Sequence, residues 1–120
     1  MAPFVILYVE DDELIRESFA EALTTPERHI VAVADVAGAR EALRETRVNL
    51  LMTDLNLGDD SGHELAREAL RQNPTLPVIV CSGHDSKDVV RSLGPTAHAL
   101  RKPVALSELQ ALVDRLARAT

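Results

Sequence analysis

At the centre of the chain stands Leu50-Leu51-Met52-Thr53-Asp54-Leu55-Asn56-Leu57, an apolar run with one carboxylate in it. A continuous apolar run of this kind is typical of a strand that is buried on both faces of a sheet. The glycines and acidic residues at 58–62 then predict a polar, flexible loop. Asp54 is therefore expected at the C-terminal end of a strand, which is the edge where open α/β sheets bind ligands.

Apolar runs on either side of this stretch predict four more strands, and amphipathic segments between them predict five helices. The connections are short, and strand and helix alternate along the whole chain. This pattern predicts the α/β class, with one doubly wound parallel sheet and helices on both of its faces. The five predicted strands are Phe4–Val9, His29–Ala34, Val48–Thr53, Pro77–Cys81 and Ala97–Leu100.

The helices show start signals and apolar faces in the sequence. Asp12 and Asp35 stand where N-caps are expected, since their carboxylates can accept the free N–H groups of the first turn. A short fourth helix is predicted at about Asp85–Ser92, before Gly94-Pro95 breaks it. The residues spaced for one face of the first helix are Leu14, Ile15, Phe19, Ala22 and Leu23.

Length and composition limit the classes of protein that this chain can represent. Its 120 residues have the size of one domain, and 46% of them are hydrophobic, so we expect a single domain over residues 1–120 without an output domain. The net charge of −6 argues against a nucleic-acid or anionic membrane surface. One cysteine, no long apolar run and no signal peptide together predict a cytoplasmic protein.

Four of the five predicted strands end in a residue with useful chemistry: Glu10 and Asp11, then Asp54, Ser82 and Lys102. In a parallel sheet these ends share one edge, and neighbouring strands lie about 4.8 Å apart. Each pair of close carboxylates would repel by roughly 4 kcal/mol at an effective dielectric near 20. Mg²⁺, or Mn²⁺ in its place, would relieve this repulsion. A metal, a lysine and a hydroxyl together favour phosphoryl transfer.

The motifs on these strand ends resemble those of a known family. They are Val9-Glu10-Asp11-Asp12, Asp54 followed eight residues on by Gly62, Ser82-Gly83 and Lys102-Pro103. In this order the chain resembles the receiver domain of two-component response regulators, of the stand-alone, chemotaxis-regulator-like kind. The resemblance covers nearly all of the chain. It implies a flavodoxin-like sheet of strand order 2-1-3-4-5, with the site at the junction of strands one and three.

The resemblance also implies a role for each site residue. Asp54 matches the phosphoacceptor. Asp11 matches a direct metal ligand, and Glu10 matches the neighbour that orients metal-bound water. Asn56 matches the position whose backbone carbonyl completes the metal shell. The four residues and Mg²⁺ would thus form one site.

The family match extends to Ser82, as the hydroxyl that moves to the phosphoryl group, and to Lys102, which pairs with a phosphoryl oxygen. The Lys102–Pro103 bond is cis in the family. The implied partners are a sensor histidine kinase or a histidine phosphotransfer protein, and an unidentified downstream protein. The implied molecule is a signalling switch, not an enzyme, and a monomer or weak dimer.

Three positions depart from the family pattern. Ala99 stands where a tyrosine or phenylalanine usually reports phosphorylation, and the neighbouring His98 should point to the opposite side of the strand. Gly58 replaces the usual proline of the loop after Asp54. The third is His84, two residues beyond Ser82; in the family this position and that of Asn56 border the path of hydrolytic water, and we expect the pair to set the lifetime of phospho-Asp54.

Two other functions compete with a phosphorylated switch. The first is an interaction module with the same fold that works without phosphorylation, although the intact set of acidic residues, Ser82 and Lys102 argues against it. The second is a Mg²⁺-dependent phosphatase with an aspartyl-phosphate intermediate. Such enzymes usually carry a second acid two residues after the nucleophile, where this chain has Asn56.

Overall fold

The computed structural model describes residues 3–119. Within them, strands and helices alternate along the chain, and a two-strand hairpin follows the third strand. The strands are β1 (Phe4–Val9), β2 (Arg28–Val33), β3 (Leu50–Asp54), β4 (Asn56–Leu57), β5 (Asp60–Ser61), β6 (Val78–Ser82) and β7 (Ala97–Arg101). The helices are α1 (Glu13–Leu23), α2 (Val36–Glu45), α3 (Gly62–Gln72), α4 (Lys87–Leu93) and α5 (Leu106–Arg118).

Five of the strands form one sheet in the order β2-β1-β3-β6-β7. All of its neighbouring strands are parallel. Counting the sheet strands alone, this is the predicted order 2-1-3-4-5, so the doubly wound, flavodoxin-like fold is confirmed. The register aligns the carboxyl ends of the strands, because Val9 lies beside Thr53, and Asp54 lies beside Cys81. The ends of β1, β3 and β6 therefore meet at one edge.

The sheet divides the apolar interior into two layers. Successive side chains of β1 alternate between them: Leu7 and Val9 join the layer covered by α2 and α3, whereas Ile6 and Tyr8 join the layer covered by α1 and α5. All five residues of β3 are buried, as expected for a strand covered on both faces. Burying each large aliphatic side chain contributes about 1.5–3 kcal/mol, so these layers fix the position of the sheet edge.

Both predicted aspartate caps are confirmed. Asp12 accepts a hydrogen bond from the Ile15 N–H at 3.0 Å, and Asp35 accepts one from the Gly38 N–H at 2.7 Å. Ser61 caps α3 in the same way. At α4 the N-cap residue Ser86 makes no such bond, although Asp85 accepts the Lys87 N–H at 3.0 Å, and none of the helix residues is buried.

The structure corrects several details of the predictions. Strand β3 spans Leu50–Asp54 instead of Val48–Thr53, so Asp54 is itself the last strand residue. The loop at 58–62 is not wholly irregular, since β4 and β5 pair across it. Leu14 and Ile15 do not lie on the buried face of α1: their exposed fractions are 77% and 39%. The residues of α1 that join a core layer lie further along the helix, at Phe19 and Leu23.

The strands β2, β6 and β7 and helix α4 each begin or end one or two residues from the predicted limits. No helix within residues 3–119 combines the length and the apolar character that crossing a bilayer requires.

Candidate functional site

Three charged side chains meet at the carboxyl edge of the sheet. Glu10 follows β1, Asp54 ends β3 and Lys102 follows β7. The Lys102 Nζ lies 2.9 Å from Asp54 Oδ2 and 3.6 Å from Glu10 Oε1. Asp11 lies beside this group, and carboxylate oxygens of Glu10, Asp11 and Asp54 all lie within 4.8 Å of one another. The sequence therefore correctly placed these four residues together.

The site is buried on one side and open on the other. Glu10 and Asp54 are 2% and 3% exposed, whereas Asp11 is exposed. Although Lys102 forms an ion pair with Asp54, the buried Oδ2 of Asp54 accepts no hydrogen bond from any residue between 3 and 119. A buried carboxylate oxygen without a hydrogen bond is costly. A hard cation with room for water ligands fits these three carboxylates and this unsatisfied oxygen.

The ionisation of the site reflects its burial. Burial, with the adjacent Asp54 carboxylate, raises the pKa of Glu10 to about 7. Burial alone would lower the pKa of Lys102, but the ion pair with Asp54 and the nearby charge of Glu10 outweigh this effect and raise that pKa above its ordinary value. Near neutral pH the Lys102 side chain is therefore a cation, and the Glu10 carboxyl group is partly protonated while no metal is bound.

Backbone hydrogen bonds hold the strand ends in place around the carboxylates. The Glu10 N–H donates to the Val33 carbonyl at 3.1 Å, and the Glu10 carboxylate accepts from the Asp12 N–H at 3.1 Å. On the other side, the Lys102 N–H donates to the Ser82 carbonyl at 2.8 Å. The Lys102–Pro103 peptide bond is cis, as the resemblance implied.

Ser82 ends β6 next to Cys81, the strand partner of Asp54. It is 6% exposed, and its Oγ accepts a hydrogen bond from the His84 N–H at 3.0 Å. His84 itself is exposed, as is Asn56 in β4. The predicted site residues thus lie along one continuous edge, from the end of β1 to the start of the segment after β7.

The spacing of Gly62 from Asp54 has a steric cause. The Gly62 N–H donates to the Leu55 carbonyl at 2.9 Å, which folds the hairpin back on the end of β3. A Cβ at this position would lie 1.8 Å from the Asp54 carbonyl oxygen. The hydroxyl of Thr53 donates to that same oxygen at 2.9 Å. Only glycine fits at the first position of α3, and its closeness fixes the backbone of Asp54.

An apolar cavity of about 240 Å³ opens beside the carboxylates. Sequence patterns do not reveal this cavity, because its walls come from segments that are distant in the chain. Burial raises the pKa of Cys81, one of its lining residues, to about 12, so that thiol stays protonated. The apolar lining residues include Tyr8, Ile15, Phe19, Met52, Val104 and Leu109, and Glu10, Asp54 and Lys102 form its polar end.

Comparison with known proteins identifies the family. The model of the response regulator receiver domain matches residues 6–114. The chain belongs to this family. It is therefore a receiver domain of the two-component response regulators, which are signalling proteins.

Among curated relatives, the receiver domain is 34% identical over 118 residues to the TorCAD operon transcriptional regulatory protein TorR of Escherichia coli K12, covering 95% of this chain and 50% of TorR. It is 32% identical to the response regulator receiver protein CpdR of Brucella abortus, covering 86% and 82% of the two chains. The chain spans about half the length of most of the first curated relatives that it matches.

Solved structures share the fold. A response regulator receiver protein from Sinorhizobium medicae WSM419 superposes with a TM-score of 0.86 at 26% identity, covering 98% of this chain and 96% of that one. The chemotaxis response regulator CheY4 of Vibrio cholerae superposes with a TM-score of 0.84 at 20% identity, covering 96% and 99%. At that identity CheY4 supports the fold alone.

Proposed function

We propose that this receiver domain accepts a phosphoryl group on Asp54 from a phosphohistidine of a sensor kinase or phosphotransfer protein. A carboxylate oxygen of Asp54 would attack phosphorus, the P–N bond to the imidazole would break, and the imidazole nitrogen would keep that electron pair. The observation that carries the proposal is the set of charges around Asp54. A lysine Nζ lies 2.9 Å from its Oδ2, and two further carboxylates lie within 4.8 Å.

Each neighbour of Asp54 has a defined task in this proposal. Glu10, Asp11, Asp54 and the backbone carbonyl of Asn56 would hold Mg²⁺, or Mn²⁺ in its place. The bound cation would neutralise negative charge on the phosphoryl oxygens. Lys102 supplies a positive charge that already contacts Asp54 and can pair with a phosphoryl oxygen. Positioning and charge neutralisation are what such a transfer needs from the protein.

Ser82 would act after the transfer. Its hydroxyl stands on the strand next to Asp54, and in this structure its oxygen accepts the His84 N–H. Turning the hydroxyl toward a phosphoryl oxygen would replace a weak local contact with a charge-assisted hydrogen bond. Phosphorylation adds about −1.5 to −2 charge at neutral pH, which is enough to shift a two-state equilibrium toward a form that binds a downstream protein.

The surface around the site suits a protein donor of the phosphoryl group. Leu14 is 77% exposed, and Ile15 and Leu106 are 39% and 38% exposed. Ile15 also lines the cavity whose polar end contains Asp54. Leu14 and Ile15 form an exposed apolar patch at the start of α1, and such a patch beside a polar site is typical of a protein-binding surface. We propose that a helix of the donor packs on this patch and brings its phosphohistidine to Asp54.

Asn56 and His84 would control how long the phosphoryl group persists. Both are exposed and flank Asp54 along the chain and across the sheet edge. An unchanged rate of decay after both are replaced by alanine would contradict this role.

The test is the intact mass of the protein after incubation with Mg²⁺ and acetyl phosphate. We expect the wild type to gain one phosphoryl group and Asp54→Ala to gain none. Asp59→Ala, which removes an exposed carboxylate from the neighbouring loop, should gain one as the wild type does.

Two outcomes would favour the competing functions. If the folded wild type gains no phosphoryl group, an interaction module that works without phosphorylation becomes the better explanation. Repeated hydrolysis of small phosphate esters, abolished in Asp54→Ala, would instead indicate a phosphatase.

A further inference from the structure

Arg16 makes two hydrogen bonds to the turn that carries the acidic residues. Its side-chain Nη1 donates to the Glu10 carbonyl at 2.9 Å. Its backbone N–H donates to the Asp12 carbonyl at 2.9 Å. These carbonyls belong to the residues immediately before and after Asp11. One residue of α1 therefore holds the main chain on both sides of Asp11.

This double contact matters because Asp11 has little else to fix it. Asp11 is exposed, and within residues 3–119 its carboxylate accepts no hydrogen bond. Glu10, by contrast, is 2% exposed and is held by the Val33 carbonyl and the Asp12 N–H. The direction of the Asp11 carboxylate thus depends on the peptide planes at 10–12. The Arg16 guanidinium fixes the first of these planes.

We propose that Arg16 is a positioning residue for the divalent cation site, acting by holding the Asp11 carboxylate toward Glu10 and Asp54. The inference rests on the proposed function, since it assumes that the acidic cluster binds a cation. The loss of a residue that orients a metal ligand commonly weakens metal binding by 10-fold or more.

The sign of the effect separates positioning from simple charge. Arg16 is a cation near an acidic cluster, so its positive charge by itself opposes the binding of a second cation. If charge were its only influence, removal of the guanidinium would tighten Mg²⁺ binding. If it positions Asp11, removal weakens binding in spite of the lost repulsion.

The experiment measures cation affinity in three variants of the whole chain. Arg16→Met removes the guanidinium and keeps an unbranched apolar side chain, and Arg16→Lys keeps a charge and a donor. Gln110→Ala is the matched control, because Gln110 Nε2 donates to the Ala22 carbonyl at 3.3 Å and so ties down the other end of α1. Free Mn²⁺ is counted by electron paramagnetic resonance. Mg²⁺ is followed by the fluorescence of Tyr8, the only tyrosine of a chain without tryptophan.

We expect Arg16→Met to bind both ions about 10-fold more weakly than the wild type. Arg16→Lys should recover part of the loss, and Gln110→Ala should bind as the wild type does. Thermal unfolding of each variant shows that all are folded at the temperature of the titration.

Affinity in Arg16→Met that equals or exceeds that of the wild type would overturn the positioning role, and so would an equal loss in Gln110→Ala. A wild type that binds neither ion would overturn the cation site of the proposed function, and the inference with it. The two failures are therefore distinguishable.

Discussion

The two ends of the sheet edge differ in how firmly they are held. Around Asp54 the strand ends are buried, and hydrogen bonds from neighbouring segments fix Glu10, Leu55 and Lys102. Around α4 the packing is sparse. That helix has seven residues, none of them buried, and its N-cap residue Ser86 makes no side-chain hydrogen bond to the first turn. The acidic residues therefore lie among strand ends that are buried and hydrogen-bonded, whereas the helix that follows Ser82 is only partly buried.

Helix α4 contacts α3 and β7, and its partly buried Val90 and Leu93 pack against the apolar layer that α2 and α3 cover. Ser92 accepts a hydrogen bond from His63 of α3 at 2.9 Å, since the Ser92 hydroxyl itself donates to the Val89 carbonyl. Ala99 of β7, beside α4, is exposed where the family usually has an aromatic ring. Elements with few buried contacts open at low free-energy cost. If Asp54 is phosphorylated as proposed, we expect the resulting change to spread toward α4 and to leave the acidic edge unchanged.

The largest loss of stability is expected from a substitution at Gly62, beside the acidic edge. We expect Gly62→Ala to lower the free energy of unfolding by roughly 3 kcal/mol or more, because its Cβ would overlap the main chain at Asp54. Urea unfolding measures the change. Gly83→Ala is the control, since nothing lies within 4 Å of a Cβ there. Similar losses of stability in the two variants would show that the β3–α3 connection accommodates an added Cβ as easily as the β6–α4 connection does.

The next largest effect on stability is expected from the ionisation of the buried Glu10. Its folded pKa of about 7 lies above the ordinary value of 4.5. As pH rises from 4.5 to 7, the unfolded chain loses this proton before the folded chain does, so the metal-free protein loses stability and then levels off. Below pH 4.5 both states hold the proton.

We therefore expect Glu10→Gln to stabilise the metal-free protein by roughly 2 kcal/mol at pH 8, and the gain should shrink toward zero near pH 4.5. Urea unfolding across this range measures it. Glu17→Gln, on the exposed side of α1, should show no such trend. A gain that is equal at all pH values would contradict the raised pKa of Glu10. The same ionisation predicts that Mg²⁺ binds more tightly at pH 8 than at pH 6.

The hydrogen bond between His63 of α3 and Ser92 of α4 should stabilise α4 against local opening by about 1 kcal/mol. We expect His63→Ala to speed amide hydrogen exchange in residues 87–93 about fivefold, and to leave the rate of phosphorylation by acetyl phosphate unchanged. His63→Gln places a donor near the position of Nε2 and should restore most of the protection. Unchanged exchange in His63→Ala would mean that other contacts hold α4.

The smallest effect is expected at Ala99. Ala99→Tyr should change the free energy of unfolding by less than about 0.5 kcal/mol, because the new ring would extend into open space beside α4. Urea unfolding measures it, and phosphorylation should proceed as in the wild type. A loss above 1 kcal/mol would show that α4 packs on β7 more tightly than the structure indicates.

The sequence predicted the acidic edge well, for a physical reason. Strand direction follows from the alternation of strands and helices, and parallel strands bring Glu10, Asp54 and Lys102 to the same edge whatever the details of packing. The helix caps at Asp12 and Asp35 could be predicted equally well from the sequence, because a cap depends on residues within one turn.

Other features could not be read from local patterns. The contact of Arg16 with the Glu10 carbonyl joins a side chain to a main-chain group, which leaves no signature in residue type. The exposure of Leu14 also escaped prediction, because spacing shows which residues share a helix face but not where the sheet ends beneath it. The β4–β5 hairpin depends on Gly62 folding back on Leu55, a contact that short-range patterns do not encode.

The division of the interior by the sheet has a consequence for how such a chain can change through evolution. Helices α1 and α5, which carry the exposed Leu14 and Leu106, rest on one apolar layer, and α2 and α3 rest on the other. Substitutions that share no neighbours add nearly independently. Substitutions in one layer therefore leave the packing of the opposite layer unchanged. New recognition surfaces can evolve on one face of the molecule while the other face keeps its structure.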